Sequence, residues 1–169
     1  MTRRVVVADA GPLIALARIE ALHLLRQLFG RVCITTTVFE EIFPSERVLP
    51  DVDLLARTLA EGWVEVVDTP PLEGKMLNPG VDAGEASAIQ VAYARAEAGD
   101  TVLLLMDDRA GRMEAKSRGL PLIGTAAVIG LAKAEGLISA ARPLLERLVA
   151  AGYFIGPMVV ASVLAEVGE

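Results

Sequence analysis

The sequence predicts a three-layer α/β/α fold, in which a central parallel sheet of about five strands is covered by helices on both faces. Short, almost wholly apolar runs recur at 5–8, 32–34, 63–67, 101–106 and 120–123, and most of the stretches between them carry apolar residues at helical spacing. The hydrophobic fraction is 53% while aromatic residues make up only 4%, so Ala, Val, Leu and Ile must build the core, as they do where helices pack on a parallel sheet. A length of 169 residues suffices for one well-buried core and is short for two. The expected organisation is a domain over 1–137 followed by a helical extension over 138–169, packed on the domain or at a dimer interface.

The first strand, VVVA, ends at Asp9, and Gly11–Pro12 opens a helical pattern through Leu13, Leu16 and Ala17 that continues with Leu22, Leu25 and Leu28 to Gly30. Val32, Cys33 and Ile34 form the second strand. Thr35 to Thr37 can cap the next helix, which runs through Val38 and Ile42 to Pro44. A helix over 51–61 stops at Gly62, and the third strand follows at 63–67. The Pro- and Gly-containing stretch at 69–80 reads as a loop, 82–98 as a helix, 101–106 as a strand, 109–118 as a helix and 120–123 as the fifth strand. Beyond Gly136, two more helices are expected at 139–151 and 158–166. In a sheet of this kind right-handed crossovers bring the C-terminal ends of the strands to one edge, where ligands bind.

Composition excludes several functions. A net charge of −6 argues against a general nucleic-acid binder, so any RNA contact must be local and metal-assisted. Cys33 is the single cysteine, and no Cys/His cluster exists for zinc. Asp9 and Pro12 interrupt the apolar stretch after the N-terminal arginines, so a signal peptide is not expected and the cytoplasm is. The apolar run 150–165 contains Gly152, Gly156 and Pro157 and is shorter than the roughly 20 residues that span a bilayer. His23 is the only histidine and lies in a helical pattern, which leaves Ser-His-Asp and Cys-His mechanisms without a base. The Gly-rich cradles of nucleotide cofactors are missing.

The informative residues are acids. Asp9 sits at a strand end, where it reads either as a helix N-cap or as a carboxylate at the binding edge. Glu40 and Glu41 lie in one helix; a Glu there can serve the helix dipole, but Glu41 borders the buried stripe. Glu85 is in line with Ala88, Ile89 and Ala92, and an acid on an apolar stripe is costly unless paired or metal-bound. It is therefore expected to have the most raised pKa, while Asp82, off that stripe, should face away or act from behind. Asp107 and Asp108 end the apolar run VLLLM; capping explains one of them but hardly both. Taken together these positions predict an oxygen-lined pocket suited to Mg²⁺ or Mn²⁺. Arg109, Arg112 and Lys116 follow, either as RNA-phosphate contacts or as a solvated helix face in which Glu114 and Arg118 pair.

The stretches VVVADAGPLIALARIEALHLL, VCITTTVFEEI, GEASAIQVA, LLLMDDRAGRMEAKSRGLPLIGTAAVIGLAKAEGLI and LLERLVAAGYFIGPMVVASVLAEVGE resemble, in order and over nearly the whole chain, the PIN superfamily. Within it they look like the small prokaryotic branch related to virulence-associated protein C toxins. The resemblance implies that Asp9 is the first family acid, Glu41 the helix acid, Glu85 the third carboxylate and Asp107 or Asp108 the fourth. It further implies a metal-dependent endoribonuclease, plausibly the toxin of a toxin–antitoxin pair, with a small antitoxin protein as partner. A homodimer is expected from the apolar tail, in which Leu144, Leu145, Leu148, Val159, Val160 and Val163 are more apolar than a solvated appendage should be. The chain departs from the pattern at Ala10–Gly11 and at Met106, where hydroxyl residues are usual. The alternatives are an inactive PIN-like binding module and a Mg²⁺-dependent phosphate-signalling domain, for which Asp68 is the sole phospho-accepting candidate.

Overall fold

In the computed structural model, which describes residues 3–46, 52–71 and 78–169, β1 (Arg4–Ala8), β2 (Val32–Thr35), β3 (Val64–Val67), β4 (Thr101–Leu105) and β5 (Leu122–Ile123) form one sheet in the order β3-β2-β1-β4-β5. All its pairings are parallel; Val6 sits opposite Leu103 and Val7 opposite both Cys33 and Leu104. Side chains alternate across the pleat, as strand geometry requires. Val6, Ala8, Ile34 and Leu105 enter one core, while Val5, Val7, Val102, Leu104 and Met106 enter the other. A sheet buried on both faces explains why the strands read as continuous apolar runs.

The helices are α1 (Ala10–Arg18), α2 (His23–Phe29), α3 (Thr36–Ile42), α4 (Val52–Ala60), α5 (Ala83–Glu97), α6 (Arg109–Ser117), α7 (Thr125–Ala134), α8 (Arg142–Ala150) and α9 (Pro157–Glu166). Helices α5 and α6 cover the Val5/Val7 face, and the others supply the opposite core. From α8 and α9, Leu145, Leu148, Val163 and Leu164 are buried in that larger core. Among the described residues no helix is long and apolar enough to cross a membrane.

Two features differ from the pattern of the sequence. The apolar spacing from Leu13 to Leu28 is carried by two helices, not one. The chain breaks at Glu20, a non-glycine residue with φ of 58°, where the Ala21 N–H bonds back to the Leu16 carbonyl at 2.8 Å. Ile19, Ala21 and Leu22 are buried through the break, so hydrophobic periodicity does not register it. Helix α7 was not anticipated at all. It buries residues around most of its circumference because α8 and α9 pack on it, which leaves no one-sided stripe to recognise. Asp51 of the expected helix over 51–61, and residues 72–77 of the expected loop at 69–80, lie outside the described residues.

Strand order reverses between β1 and β4, since β1 leads to β2 on one side and β4 leads to β5 on the other. A crevice forms at the carboxyl ends of strands flanking such a point. Asp9 follows β1 directly, and Asp107 lies just past β4.

Candidate functional site

Asp9 occupies the N-cap position of α1 yet makes no capping hydrogen bond with its side chain. Its own N–H is spent on the Leu105 carbonyl at 3.0 Å, which ties the end of β1 to the end of β4. The helix-cap explanation therefore fails for this residue, and its carboxylate is left at the sheet edge, 8% exposed. Burial is the main reason its pKa climbs from 3.8 to about 7; the Ala10 N–H offsets part of the rise, and the charges of Glu85, Asp82 and Glu41 add to it.

Glu85 is 4% exposed on α5. It belongs to a capping box: the Glu85 N–H donates to Asp82 Oδ1 at 2.8 Å, and the Asp82 N–H donates to Glu85 Oε2 at 3.1 Å. Burial, with the nearby charges of Asp82 and Asp108, raises its pKa from 4.5 to about 7. Asp9 and Glu85 are thus both pushed up to about 7, so the strongly raised acid expected at Glu85 has an equal in Asp9. Asp82 caps α5, as a supporting residue would, but it does not stand clear of the group, since its charge acts on Asp9, Glu41 and Glu85 alike.

Glu41 lies in the last turn of α3, so its own helix dipole does not explain it. It lies instead at the start of α5, where a Cβ on Gly84 would overlap its carboxylate. Only glycine allows that approach. Burial, followed by the charge of Asp82, raises the Glu41 pKa, and the Gly84 N–H offsets part of the rise. The two helices are pinned to each other by buried hydroxyls. Thr35 caps α3 by accepting from the Val38 N–H at 3.0 Å and also shares a 2.6 Å hydrogen bond with Ser87, which in turn donates to the Gly84 carbonyl at 2.7 Å.

Of the adjacent pair after β4, Asp108 is the cap, its Oδ1 accepting from the Ala110 and Gly111 N–H groups at 2.7 and 3.2 Å. Asp107 takes a different set of donors. Its Oδ1 accepts from the Thr125 N–H at 2.8 Å, and its Oδ2 accepts from the Thr125 hydroxyl at 2.5 Å and from the Tyr153 hydroxyl at 2.6 Å. Burial and the Asp107 charge push the Tyr153 phenol well above its ordinary pKa, so the hydroxyl keeps its proton and donates. Sequence reasoning missed Thr125 and Tyr153. Nothing in their local pattern announces a role, and both reach Asp107 only through the fold. The Asp82–Glu85 capping box, by contrast, had a legible signature, an Asp three residues before a Glu at a helix start.

Asp9, Glu41, Glu85 and Asp108 thus lie within range of one another's charge, or of a shared neighbour's, and Asp9 and Asp107 both act on Tyr153. The ion pairs of the described residues, Arg3–Glu65, Arg26–Glu61, Arg95–Asp100 and Arg118–Glu114, lie elsewhere. Hard oxygen donors, partly desolvated and, among the described residues, in no ion pair, suit the chemistry of Mg²⁺ or Mn²⁺, although the Arg112 guanidinium lies near Asp107 across Gly124. Among the described residues, no three acid side chains are gathered tightly enough to hold an ion as they stand. On α6, Arg109 and Lys116 are exposed, whereas Arg112 is half-buried and donates to the Met106 carbonyl at 2.8 Å. Arg118 bonds Glu114 at 2.9 Å, as the i,i+4 spacing suggested. Asp68 follows β3, an edge strand, and accepts from the Thr36 hydroxyl at 3.4 Å; a phosphate-signalling domain needs that acid after a middle strand.

Comparison with known proteins agrees with this architecture. A family model described as a PIN domain matches residues 5–169. Among solved structures, the chain is similar to a PilT N-terminus domain protein from the hyperthermophilic archaeon Sulfolobus solfataricus P2, with 21% identity, a TM-score of 0.51, and coverage of 73% of this chain and 88% of that one. That likeness is one of fold. No curated protein matches the chain. With the match extending over nearly the whole length, and the five-stranded parallel sheet to go with it, the chain belongs to the PIN-domain family, whose members are generally nucleases.

Proposed function

We propose that this protein is a divalent-metal-dependent endoribonuclease that hydrolyses RNA phosphodiester bonds. In this reading Asp9, Glu85, Asp107 and Asp108 serve as the metal-binding acids, Glu41 completes the catalytic set, and Mg²⁺ or Mn²⁺ is the cofactor. One observation carries the reading: Asp9 and Glu85 are both buried, both have carboxyl pKa values pushed up to about 7, and among the described residues neither forms an ion pair with a protein cation. Acids so costly to ionise are what a divalent cation bound between them would compensate.

When bound, one or two such ions polarise the scissile phosphate and lower the pKa of an attacking water. The chain's own contribution is to hold the acids. The capping box fixes Glu85, the Gly84 backbone seats Glu41, the start of α6 fixes Asp108, and Thr125 with Tyr153 fixes Asp107. The exposed Arg109 and Lys116 are read as phosphate contacts; Arg112 has one nitrogen committed to Met106 and joins them with the rest of its guanidinium.

As to biological setting, the reading is a cytoplasmic toxin of a toxin–antitoxin pair, partnered by a small antitoxin protein and forming a homodimer. Large apolar side chains exposed towards the end of the chain, Phe154 at 91% and Met158 at 85%, support a protein-binding surface there. The nuclease reading is tested by incubating the purified protein with single-stranded RNA in Mg²⁺ or Mn²⁺, with and without chelator, alongside Asp9→Asn. The expected result is cleavage that needs the ion and is lost in the variant. Chelator-insensitive cleavage, or RNA binding without cleavage under any ion, refutes it, and the second outcome identifies an inactive binding module.

A further inference from the structure

Tyr153, from the last thirty residues, hydrogen-bonds to one of the acids. Its backbone is not free to wander. The Tyr153 N–H bonds back to the Leu148 carbonyl at 3.1 Å, closing the end of α8, while Leu145 and Leu148 of that helix are 1% and 0% exposed in the core. From this fixed point the phenol runs to the sheet edge and donates to Asp107 Oδ2 at 2.6 Å. Gly11 lies beside it: a Cβ there would make ordinary van der Waals contact at 3.4 Å from the Tyr153 oxygen and 4.0 Å from Asp9 Oδ2, which sets the phenol next to the acid that ends β1. The residues flanking the two strand-end acids, Ala10, Gly11 and Met106, carry no hydroxyl of their own. The hydroxyls that orient Asp107 come instead from Thr125 and from the chain beyond α8.

We propose that Tyr153 is a positioning residue for the metal site: together with Thr125 it locks the Asp107 carboxylate, so that the C-terminal helices complete the site. This inference rests on the nuclease reading for its purpose but not for its measurement. A carboxylate offers roughly four acceptor positions. Three are filled by Thr125 N–H, the Thr125 hydroxyl and the Tyr153 hydroxyl, spread over both oxygens. The plane of the group therefore cannot turn, and a single acceptor position on Oδ1 remains. Orienting partners of this kind typically change metal affinity by about 10- to 100-fold.

The test is Mn²⁺ binding by the full-length protein without RNA, followed by electron paramagnetic resonance, for wild type, Tyr153→Phe, Thr125→Val and the double variant. Thermal unfolding of each apo protein is measured in parallel. Tyr153→Phe is expected to weaken Mn²⁺ binding by about tenfold while the apo unfolding temperature stays within a few degrees. Thr125→Val should weaken binding too, and the double variant should lose less than the two effects multiplied, because both hydroxyls act on one oxygen. If Tyr153→Phe does not fold, Thr125→Ser against Thr125→Val decides: the serine must retain affinity and the valine must lose it. Wild-type affinity, or tighter binding, in Tyr153→Phe overturns the proposal, and so does a wild-type protein that binds no Mn²⁺. A wild type that binds Mn²⁺ but does not cut RNA sinks the nuclease reading alone. One that cuts RNA while Tyr153→Phe binds Mn²⁺ normally sinks only the role of Tyr153.

Discussion

Replacing Asp9 by Asn should stabilise the metal-free protein, and by an amount that depends on pH. Native Asp9 keeps its proton up to about pH 7, whereas an ordinary Asp releases it near 3.8. Between those values the native state binds more protons than the unfolded chain, so stability falls as pH rises, and above them the full cost is present. A rise from 3.8 to about 7, at about 1.36 kcal/mol for each tenfold change in acidity, sets a ceiling of about 4 kcal/mol. Water entry and the shared titration with Glu85 reduce this to about 2 kcal/mol. At about 2–4 °C per kcal/mol for a chain of this size, Asp9→Asn should raise the unfolding temperature by about 4–8 °C at pH 8. The gain should be small near pH 4, grow towards pH 7 and then level off. The assay is thermal unfolding by circular dichroism in chelator across that range, repeated with Mg²⁺, which should raise the wild type and do less for the variant. A variant less stable than wild type at every pH, or a gain that does not vary with pH, would refute the reasoning and return Asp9 to a structural role.

Gly84→Ala should lower the cleavage rate on the order of 100-fold, because the new methyl displaces the Glu41 carboxylate. Single-turnover kinetics checks this, and an unchanged rate would place Glu41 outside the chemistry. Thr35→Val removes both the cap on Val38 and the bond to Ser87, at a cost of about 1–2 kcal/mol. A urea midpoint equal to that of wild type would show that this buried pair does not hold α3 to α5.

The fold was legible because its physics is local and repeated. Apolar runs such as VVVA and VLLLM carry no alternation since both faces of the sheet are covered, and Gly30, Gly62, Gly99 and Gly119 end helices at or near the places where the spacing stops. Three signals failed for stated reasons. The break at Glu20 uses neither Gly nor Pro, α7 is buried around most of its circumference, and the Asp82–Glu85 box is made of two residues that equally fit a carboxylate cluster.

The site divides along the same line. Sequence alone determined which residues are acids, that Asp9 and Asp107 end strands, and that Glu85 shares a stripe with Ala88 and Ile89, because each of these depends on neighbours within a few positions. Tertiary structure alone decided which acids are caps and which are not. Asp108 caps its own helix through the Ala110 and Gly111 N–H groups, whereas Asp9 in the same kind of position makes no capping hydrogen bond, and one sequence pattern serves both. It also decided that Thr125 and Tyr153, 18 and 46 residues from Asp107, meet on a single oxygen. Hydrogen bonds between groups so far apart along the chain leave no periodic trace, since their geometry is set by how α7 and α8 pack in the core and not by anything encoded beside either residue.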